Sequence, residues 1–266
     1  MIFYLQVRKV IDMELFKKVI IRECWTLWNY IKFRLIFISI VLFLLLGVLF
    51  VNSENGTLLD IVYGMLQVPA DGGNPLTSNI NWLTIQLLPI FLVGTYVYED
   101  LFQSGPFILL RIRSRRLLWF SKVFILAVIT LLYYLLIFVF VEIMGFFFHV
   151  STWSESQIIY IELSDHLLGL TVSFLVGTFT LLMLQAILSI MFTPMLGIIL
   201  VVILCVVNLY FNTFFFPGHI SDVLAYSIMD GELQFMLGFT FHLLLTTVLI
   251  LLGSHYYKKV DLLYRK

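Results

Sequence analysis

Long apolar runs alternate with shorter, more polar stretches along the chain, and each run holds at least 17 residues. About 20 mostly apolar residues carry an α-helix across the hydrocarbon core of a bilayer, and roughly 17 residues is the lower limit. The runs occupy residues 35–51, 80–98, 120–142, 166–190, 194–211 and 233–257. They predict six transmembrane helices, with burial of all six in a soluble core as the alternative.

The second run contains Pro89. A proline has no backbone N–H, so the carbonyl group four residues earlier loses its helical donor and the helix can kink. We therefore expect a freed carbonyl oxygen and a kink inside the second transmembrane helix.

The residues before the first run predict an amphipathic helix within the N-terminal segment 1–34. Its apolar residues recur at intervals of three and four, and its basic residues take another face. The apolar positions are Phe16, Ile20, Cys24, Leu27 and Ile31, and the basic ones are Lys17, Lys18 and Arg22. Trp25, Trp28 and Tyr30 suit the headgroup level. We expect a helix that lies in the membrane interface, with an ordinary soluble amphipathic helix as the alternative. Glu23 interrupts the apolar face.

Composition favours lipid as the solvent for most of the chain. Charged residues make up 12% of the 266 residues, and mean hydropathy is +1.04. A soluble domain of this size holds roughly 25% charged residues. The formal net charge is zero, which argues against a nucleic-acid partner. The fold class we expect is an all-α membrane protein.

The basic residues predict the orientation of the helices. All 16 lysines and arginines lie before the first run, between the second run and the first residues of the third, where Lys122 is, or after the last run. Segments 52–79, 142–165 and 212–232 contain none. Because lysine and arginine concentrate in cytoplasmic loops, both termini are expected in the cytoplasm, including the tail at 258–266. The domains expected are thus 1–34, the transmembrane domain 35–257 and the tail, in a multi-pass protein of the cell membrane.

Catalytic motifs are missing from the sequence. It has no Gly-Lys pair, so it has no phosphate-binding loop of the G-x-x-x-x-G-K type, and it has no H-E-x-x-H or G-x-S-x-G motif. No histidines are spaced as metal ligands. We expect no enzyme activity, cofactor or metal in this chain. Glu142 is a candidate for a transport pathway because an acid at membrane depth is a functional candidate by default, and His242 is a candidate because it lies well inside a run. The alternatives are a headgroup position for Glu142 and a hydrogen bond to a neighbouring helix for His242.

The segment at 96–124 contains a distinctive succession of residues. Two acidic residues precede a glycine, an apolar stretch "FILL" (107–110), the pair Ser114-Arg115 and then Lys122. With six transmembrane helices and an amphipathic N-terminal helix, this succession resembles the permease subunits of ABC-2 type ABC exporters. The resemblance implies a coupling helix that docks on a separate ATPase, and an N-terminal elbow helix. The docking residues it implies are Glu99, Asp100, Leu101, Phe102, Gly105, Arg111, Arg113 and Arg115. A loop that only fixes topology remains the alternative.

The resemblance also implies partners. Two copies of an ATPase subunit would bind ATP and Mg, and a second permease half, identical or related, would complete the pathway. Leu101 and Phe102 would project as apolar side chains from a short helix, and Gly105 would lie near the end of that helix. Outside the membrane, "NTFFFPGHISDVLAYSIMDGELQF" is too apolar for a free loop. Phe214, Phe215 and Phe216 could receive apolar cargo there, or simply grip the outer leaflet.

Function is expected to follow from these features. The transmembrane runs contain almost no charge beyond their ends, which favours hydrophobic or amphipathic cargo such as peptides or lipid-like molecules over sugars or ions. The first hypothesis is a permease that uses ATP hydrolysis on a partner chain. The second is a membrane receptor, scaffold or peptide-immunity protein that transports nothing. The third is an intramembrane enzyme, for which Gln86, Gln185 and Asn208 are further polar candidates.

Overall fold

The computed structural model describes residues 2–52, 80–104, 115–148, 157–210 and 231–259. In these ranges the secondary structure is helical, and short breaks at residues 94–95 and 192–193 separate helices that follow one another. The helices are α1 (Ile2–Asn52), α2 (Ile80–Val93), α3 (Tyr96–Glu99), α4 (Arg115–Phe147), α5 (Gln157–Met191), α6 (Pro194–Tyr210) and α7 (Gly231–Lys259). A π-helical segment, Asp100–Ser104, continues from α3.

Five helical stretches in the described ranges are long and apolar enough to cross a membrane. They are Phe16–Val51, Ile80–Phe102, Arg115–Phe147, Thr171–Met191 and Met236–Tyr257. The protein is therefore an all-helical, multi-pass membrane protein in the part that the structure describes. Helix α6, which matches the predicted run at 194–211, has 17 residues and is about 25 Å long. It falls short of the roughly 30 Å core, so the count of six transmembrane helices is not confirmed.

The N-terminal segment and the first apolar run form a single helix. Helix α1 has 51 residues and passes through residue 34 without a break, over a length of about 76 Å. The expected separate helix lying in the interface is therefore not confirmed. Large apolar side chains remain exposed far toward the N-terminal end of α1, including Trp25 (70%) and Trp28 (55%). Aromatic side chains of this kind suit the headgroup level of a bilayer.

Helices α2 and α5 lie at the centre of the packing. Helix α5 contacts α2, α4, α6 and α7, and α1 packs against α4 and α2. The core they share is apolar, with Ile85, Leu126 and Leu182 almost fully buried. The outward faces of α1, α4 and α7 instead expose large apolar side chains such as Phe37 and Leu251. An apolar exterior of this kind fits a lipid environment.

The helical hydrogen bonding of α2 is interrupted at two points, and at both points a side chain from another helix donates to a backbone carbonyl oxygen. Pro89 cannot donate to the carbonyl oxygen of Ile85, and the Tyr133 hydroxyl on α4 donates to that oxygen instead, at 2.8 Å. The carbonyl group that Pro89 frees thus has a donor from another helix. Further along, α2 ends at Gly94, whose φ is +49°, a conformation that favours glycine. The amide of Gln185 on α5 donates to the carbonyl oxygen of Gly94 at 3.0 Å.

The break at residues 94–95 redirects the chain into α3 and the π-helical segment. This turn brings Tyr96 and Asp100 against α1 and the beginning of α4, as their hydrogen bonds show. Polar groups of a broken helix are tolerated at membrane depth only where protein covers them. The described residues on both sides of the break are mostly buried.

Candidate functional site

A buried carboxylate on α1 is the starting point of the site. The Glu23 residue is 0% exposed, and it shares its helix face with the buried residues Val19 and Leu27. These positions are four residues apart, so they lie one above another along the helix. The interruption of the apolar face that the sequence shows at Glu23 is therefore directed into the protein. A charge at such a position needs a compensating partner.

The partner is Lys122, which lies near the start of α4 and is 1% exposed. Its ammonium group contacts the carboxylates of both Glu23 and Asp100. The Tyr96 hydroxyl donates to Glu23 Oε2 at 2.7 Å, and the Lys122 ammonium donates to the Tyr96 hydroxyl oxygen at 3.2 Å. The same ammonium lies 4.5 Å from the centroid of the Tyr96 ring, within the range of a cation–π interaction.

Arg22 contacts the same two carboxylates and is the more exposed of the two cations. Its Nη1 lies 2.7 Å from Glu23 Oε1, and its Nη2 lies 2.6 Å from Asp100 Oδ1. The Arg22 side chain is 30% exposed, whereas that of Asp100 is 4% exposed. Two cations and two carboxylates thus neutralise one another. We call Arg22, Glu23, Tyr96, Asp100 and Lys122 the ionic cluster.

The ionic cluster joins four elements. Glu23 and Arg22 belong to α1, Tyr96 belongs to α3, Asp100 begins the π-helical segment, and Lys122 belongs to α4. The last two flank segment 105–114, which holds the basic residues Arg111 and Arg113. The described residues Asp100 and Lys122, one on each side of this segment, are therefore held to α1 through buried ion pairs. Separating such a pair leaves an uncompensated buried charge, which costs about 3–5 kcal/mol.

A second set of hydrogen bonds extends the contact between α1 and the break after α2. The Tyr30 and Thr95 hydroxyl groups lie 2.6 Å apart, and the backbone N–H of Thr95 donates to the Tyr30 oxygen at 3.1 Å. The Thr95 hydroxyl also donates to the Glu99 carboxylate. Arg34 lies over the Tyr30 ring, 4.2 Å from its centroid. Glu99 is thereby fixed toward α1 by Thr95.

The expected docking residues are divided between the interior and the surface. Asp100 belongs to the ionic cluster, and Leu101 is 1% exposed, so Leu101 is buried here and its docking role stays a prediction. Its side chain packs into the core because the segment turns inward where Asp100 contacts Lys122. Phe102 and Arg115 are half-buried, as is Glu99. Gly105, Arg111 and Arg113 lie outside the described residues.

The expected pathway residues lie in different surroundings. Glu142 is exposed and lines an open groove of about 500 Å³ between α4 and α5. His242 is 0% exposed, and its Nδ1 lies 2.7 Å from the carbonyl oxygen of Gly238 on its own helix. Phe214, Phe215 and Phe216 lie outside the described residues. One candidate thus faces the exterior and the other the helix core.

Several polar side chains in the bundle bind other helices. Gln86 Oε1 accepts from the Thr178 hydroxyl at 2.9 Å, and that hydroxyl lies 2.7 Å from the hydroxyl of Tyr134. Gln185 binds the backbone at the end of α2. Among the residues that the structure describes, no group of three or more His, Cys, Asp or Glu side chains is placed to hold a metal ion.

Sequence reasoning did not assemble the ionic cluster, although it noted four of its members separately. Arg22 lies on the predicted basic face of the N-terminal helix, and Glu23 interrupts its apolar face. Asp100 is an expected docking residue, and Lys122 belongs to the succession of residues at 96–124. The signal that could have joined them is the acid on an apolar helix face, because a buried acid requires a cation at the same depth.

The chain matches no protein-family model, and neither the curated proteins nor the solved structures contain a detectable match to it.

Proposed function

We propose that this chain is the transmembrane permease subunit of an ABC-2 type exporter, which moves hydrophobic or amphipathic cargo, such as a peptide or a lipid-like molecule. A separate ATPase, in two copies, binds ATP and Mg, and a second permease half completes the pathway. The observation that carries this proposal is the ionic cluster. It ties Asp100 and Lys122, which flank the basic segment 105–114 in the sequence, to α1, and this supports a route for force from that segment into the membrane domain.

The proposed topology has six transmembrane helices with both termini in the cytoplasm of the cell. Helix α6 is the additional one, since its 17 residues are at the lower limit of length for crossing the hydrocarbon core. The distribution of lysine and arginine supports this arrangement, because segments 52–79, 142–165 and 212–232 contain none. The N-terminal part of α1, with exposed Trp25 and Trp28, then lies at the cytoplasmic surface.

The proposed mechanism is a two-state movement that nucleotide controls on the partner chain. The ATPase binds segment 105–114 together with the half-buried side chains of Phe102 and Arg115. When the ATPase subunits close, the segment moves, and Asp100 and Lys122 move with it. Because Lys122 also contacts Glu23, α1 follows. Helices α1 and α4 thereby change position relative to the second permease half and open the pathway to the outside.

The test is co-purification with a candidate phosphate-loop ATPase, after co-expression and detergent extraction. The variant Arg111→Glu/Arg113→Glu reverses two charges in the basic segment. The control Lys17→Glu/Lys18→Glu reverses two charges on the exposed surface of α1, at the same side of the membrane. We expect the first variant to lose at least tenfold of the bound ATPase and its cargo-stimulated ATP hydrolysis. We expect the control to retain both.

The outcomes separate the hypotheses. Equal loss in both variants indicates a general effect of charge on topology and contradicts docking at segment 105–114. Failure of the unaltered chain to bind any ATPase, together with its full activity in a strain that lacks the ATPase, contradicts the permease function. That second outcome supports a receptor, scaffold or immunity protein.

A further inference from the structure

An arginine on α1 lies against the break at the end of α2. The Arg34 side chain is half-buried, and its Cζ lies 4.2 Å from the centroid of the Tyr30 ring. Its Nη1 donates to the carbonyl oxygen of Phe91 at 3.4 Å, which is longer than the usual range of about 2.7–3.2 Å. A Cβ atom built on Gly94 would lie 2.1 Å from the same nitrogen, so the glycine leaves room for the guanidinium group. Arg34 therefore has a fixed place but only this one weak hydrogen bond to the residues that the structure describes.

The position of Arg34 along the bundle follows from two contacts between α1 and α4. Glu23 contacts Lys122 near one end, and the rings of Phe50 and Phe148 stack with centroids 5.6 Å apart near the other. On both helices about 40 Å separates the two contacts. Helices α1 and α4 therefore run side by side in the same direction and in register, and Arg34 lies about 16 Å beyond Glu23.

This register places Arg34 inside the hydrocarbon core, although it precedes the first apolar run of the sequence. The continuous apolar part of α4 begins after Lys122 and extends to residue 141, over about 28 Å, which is close to the thickness of the core. The level of Lys122 is thus one boundary of the core. The Arg34 side chain leans back over Tyr30, one turn toward that boundary, so its guanidinium group lies about 10 Å inside. Charged groups at such a depth are rare and mark functional sites.

The charges near Arg34 leave a positive balance. Arg34 forms no ion pair with an acid in the described part of the chain, and the carbonyl end of α2 supplies only a partial negative charge. Glu99 is connected to Tyr30 only through Thr95, whose hydroxyl donates to the Glu99 carboxylate. Lys32 adds a second cation two positions before Arg34. A charge in the hydrocarbon needs a compensating partner, so the missing partner is an anion.

Exposed apolar side chains continue the face of α1 on which Arg34 lies. Phe37 and Leu44 are 65% and 63% exposed, and with Val41 between them they follow Arg34 at intervals of three and four. Phe91, which is 50% exposed, flanks this face on α2. An alkyl chain along the face would extend about 15 Å from the guanidinium group toward the outer surface. The apolar residues alone select no occupant, because bilayer lipids cover them equally well, whereas the guanidinium group selects by charge.

The depth of the guanidinium group favours cargo over a lipid of the bilayer. A phospholipid holds its phosphate in the headgroup region outside the hydrocarbon core, more than about 10 Å from Arg34 by the same count. A molecule that is being translocated carries its head group through the core. A fixed cation on that route lowers the cost of moving an anionic group through the hydrocarbon. The planar guanidinium group can donate two parallel hydrogen bonds to a carboxylate or a phosphate.

We propose that Arg34 binds the anionic head group, a phosphate or a carboxylate, of a single-chain amphiphile whose alkyl chain lies along the exposed face of α1 beside Phe91. This inference rests on the proposed function, because it describes the amphiphile as cargo of the permease. It adds that the cargo is anionic, and it gives Arg34 a binding role beyond its contribution to topology. Binding itself requires neither the ATPase nor the second permease half.

The test uses the full chain in phosphatidylcholine nanodiscs and a hexadecyl phosphate probe with a diazirine on the alkyl chain. Mass spectrometry maps the labelled peptides, and we expect saturable labelling within residues 34–44 and 87–94. Unlabelled hexadecyl phosphate should compete about fivefold better than hexadecyltrimethylammonium, as expected for one ion pair. The two competitors have the same chain, so the comparison isolates the head group. Equal competition by the two overturns the proposal.

Variants test whether Arg34 is the group that binds. Arg34→Gln should lower the labelling about fivefold, because it removes the charge. Arg34→Lys should lower it less, because it keeps the charge but loses the planar fork. The matched control Arg116→Gln removes an exposed arginine of α4 and should leave the labelling unaltered. Full labelling of a folded Arg34→Gln variant overturns the proposal, and the head-group competition on the unaltered chain decides the case if that variant does not fold.

A bilayer phospholipid is the other source of an anionic head group. Labelling should persist when the nanodiscs contain phosphatidylglycerol, because that lipid keeps its phosphate at the membrane surface. Loss of labelling in these nanodiscs would show that a phospholipid occupies the site, and would overturn the assignment to cargo. The permease function fails separately. A chain that binds no ATPase but prefers the anionic competitor retains the binding site, whereas a chain that binds an ATPase without this preference lacks it.

Discussion

The hydroxyl group of Tyr133 donates to the carbonyl oxygen of Ile85, the oxygen that Pro89 leaves without a helical donor. A buried carbonyl group without a donor costs about 1–3 kcal/mol. Tyr133→Phe removes the donor and little else, so it should lower the stability of the purified protein by about 1 kcal/mol. Thermal unfolding in detergent, followed by circular dichroism, measures the change.

The control for this hydrogen bond is the proline itself. Pro89→Ala restores a backbone N–H that can donate to Ile85, so Tyr133→Phe should cost much less in the Pro89→Ala background than in the unaltered chain. The double-mutant cycle isolates the coupling of Tyr133 with Pro89. Equal cost in the two backgrounds would mean that Tyr133 acts through packing and not through this carbonyl group.

The balance of charge in the ionic cluster makes Lys122 a sensitive position. Lys122→Met keeps the apolar stem but leaves the carboxylates of Glu23 and Asp100 with one cation fewer. We expect a loss of about 3–5 kcal/mol, because an uncompensated charge remains buried. The decrease should appear as a lower yield of monodisperse protein and a lower unfolding temperature in detergent.

A second substitution distinguishes charge balance from packing. In Glu23→Gln/Lys122→Met one carboxylate is removed with the ammonium, and Arg22 remains 2.6 Å from Asp100. We expect this double variant to be more stable than Lys122→Met alone. If the two variants unfold at the same temperature, the stabilisation comes from the lysine stem and not from neutralisation of the buried acids.

Parts of the fold follow from sequence because they depend on periodicity and length. The apolar runs predict the helices, and Pro89 predicts a carbonyl group that has no helical donor. The sequence does not identify Tyr133 as that donor, because the contact joins residues 48 positions apart and depends on how α2 and α4 pack. The continuity of helix α1 is a second case. No glycine or proline lies near residue 34, so the sequence there marks no helix end and does not show whether one helix or two are present.

The site was harder to predict for the same physical reason. Glu23 and Lys122 are 99 positions apart, and each has a simpler explanation alone: a flaw in an apolar face, or a topogenic charge. Only three-dimensional packing shows that the acid is buried and that the lysine compensates it. The burial of Leu101 does not follow from the sequence, because an apolar residue between Asp100 and Phe102 suits a docking contact and a core contact equally well.

Helices α4 and α7 approach closely at Gly253. The Trp119 indole N–H donates to the carbonyl oxygen of Ile250 at 2.9 Å, and its ring would lie 2.0 Å from a Cβ atom built on Gly253. Gly253→Ala therefore forces the rigid ring to shift and should destabilise the protein by about 1–3 kcal/mol. Thermal unfolding in detergent provides the measurement.

The matched control is Gly47 on α1, where no atom lies within 4 Å of the corresponding Cβ position. Gly47→Ala should be neutral or should stabilise by up to about 1 kcal/mol, because alanine favours the helix. Trp119→Phe combined with Gly253→Ala should recover part of the loss. Equal effects at the two glycines would contradict the close approach of Trp119.

The distribution of lysine and arginine predicts which segments face the exterior. In the Cys24→Ser background, with Cys205 buried, we expect a membrane-impermeant maleimide to label Gly72→Cys and Ser156→Cys on intact cells. Arg116→Cys, at an exposed position of α4, should react only after lysis. The reason is energetic: an arginine or lysine at the centre of the hydrocarbon costs about 2.5–3.5 kcal/mol during insertion, so basic segments stay in the cytoplasm. Labelling of Arg116→Cys on intact cells, with Ser156→Cys protected until lysis, would reverse the orientation and remove the access of a cytoplasmic ATPase to segment 105–114.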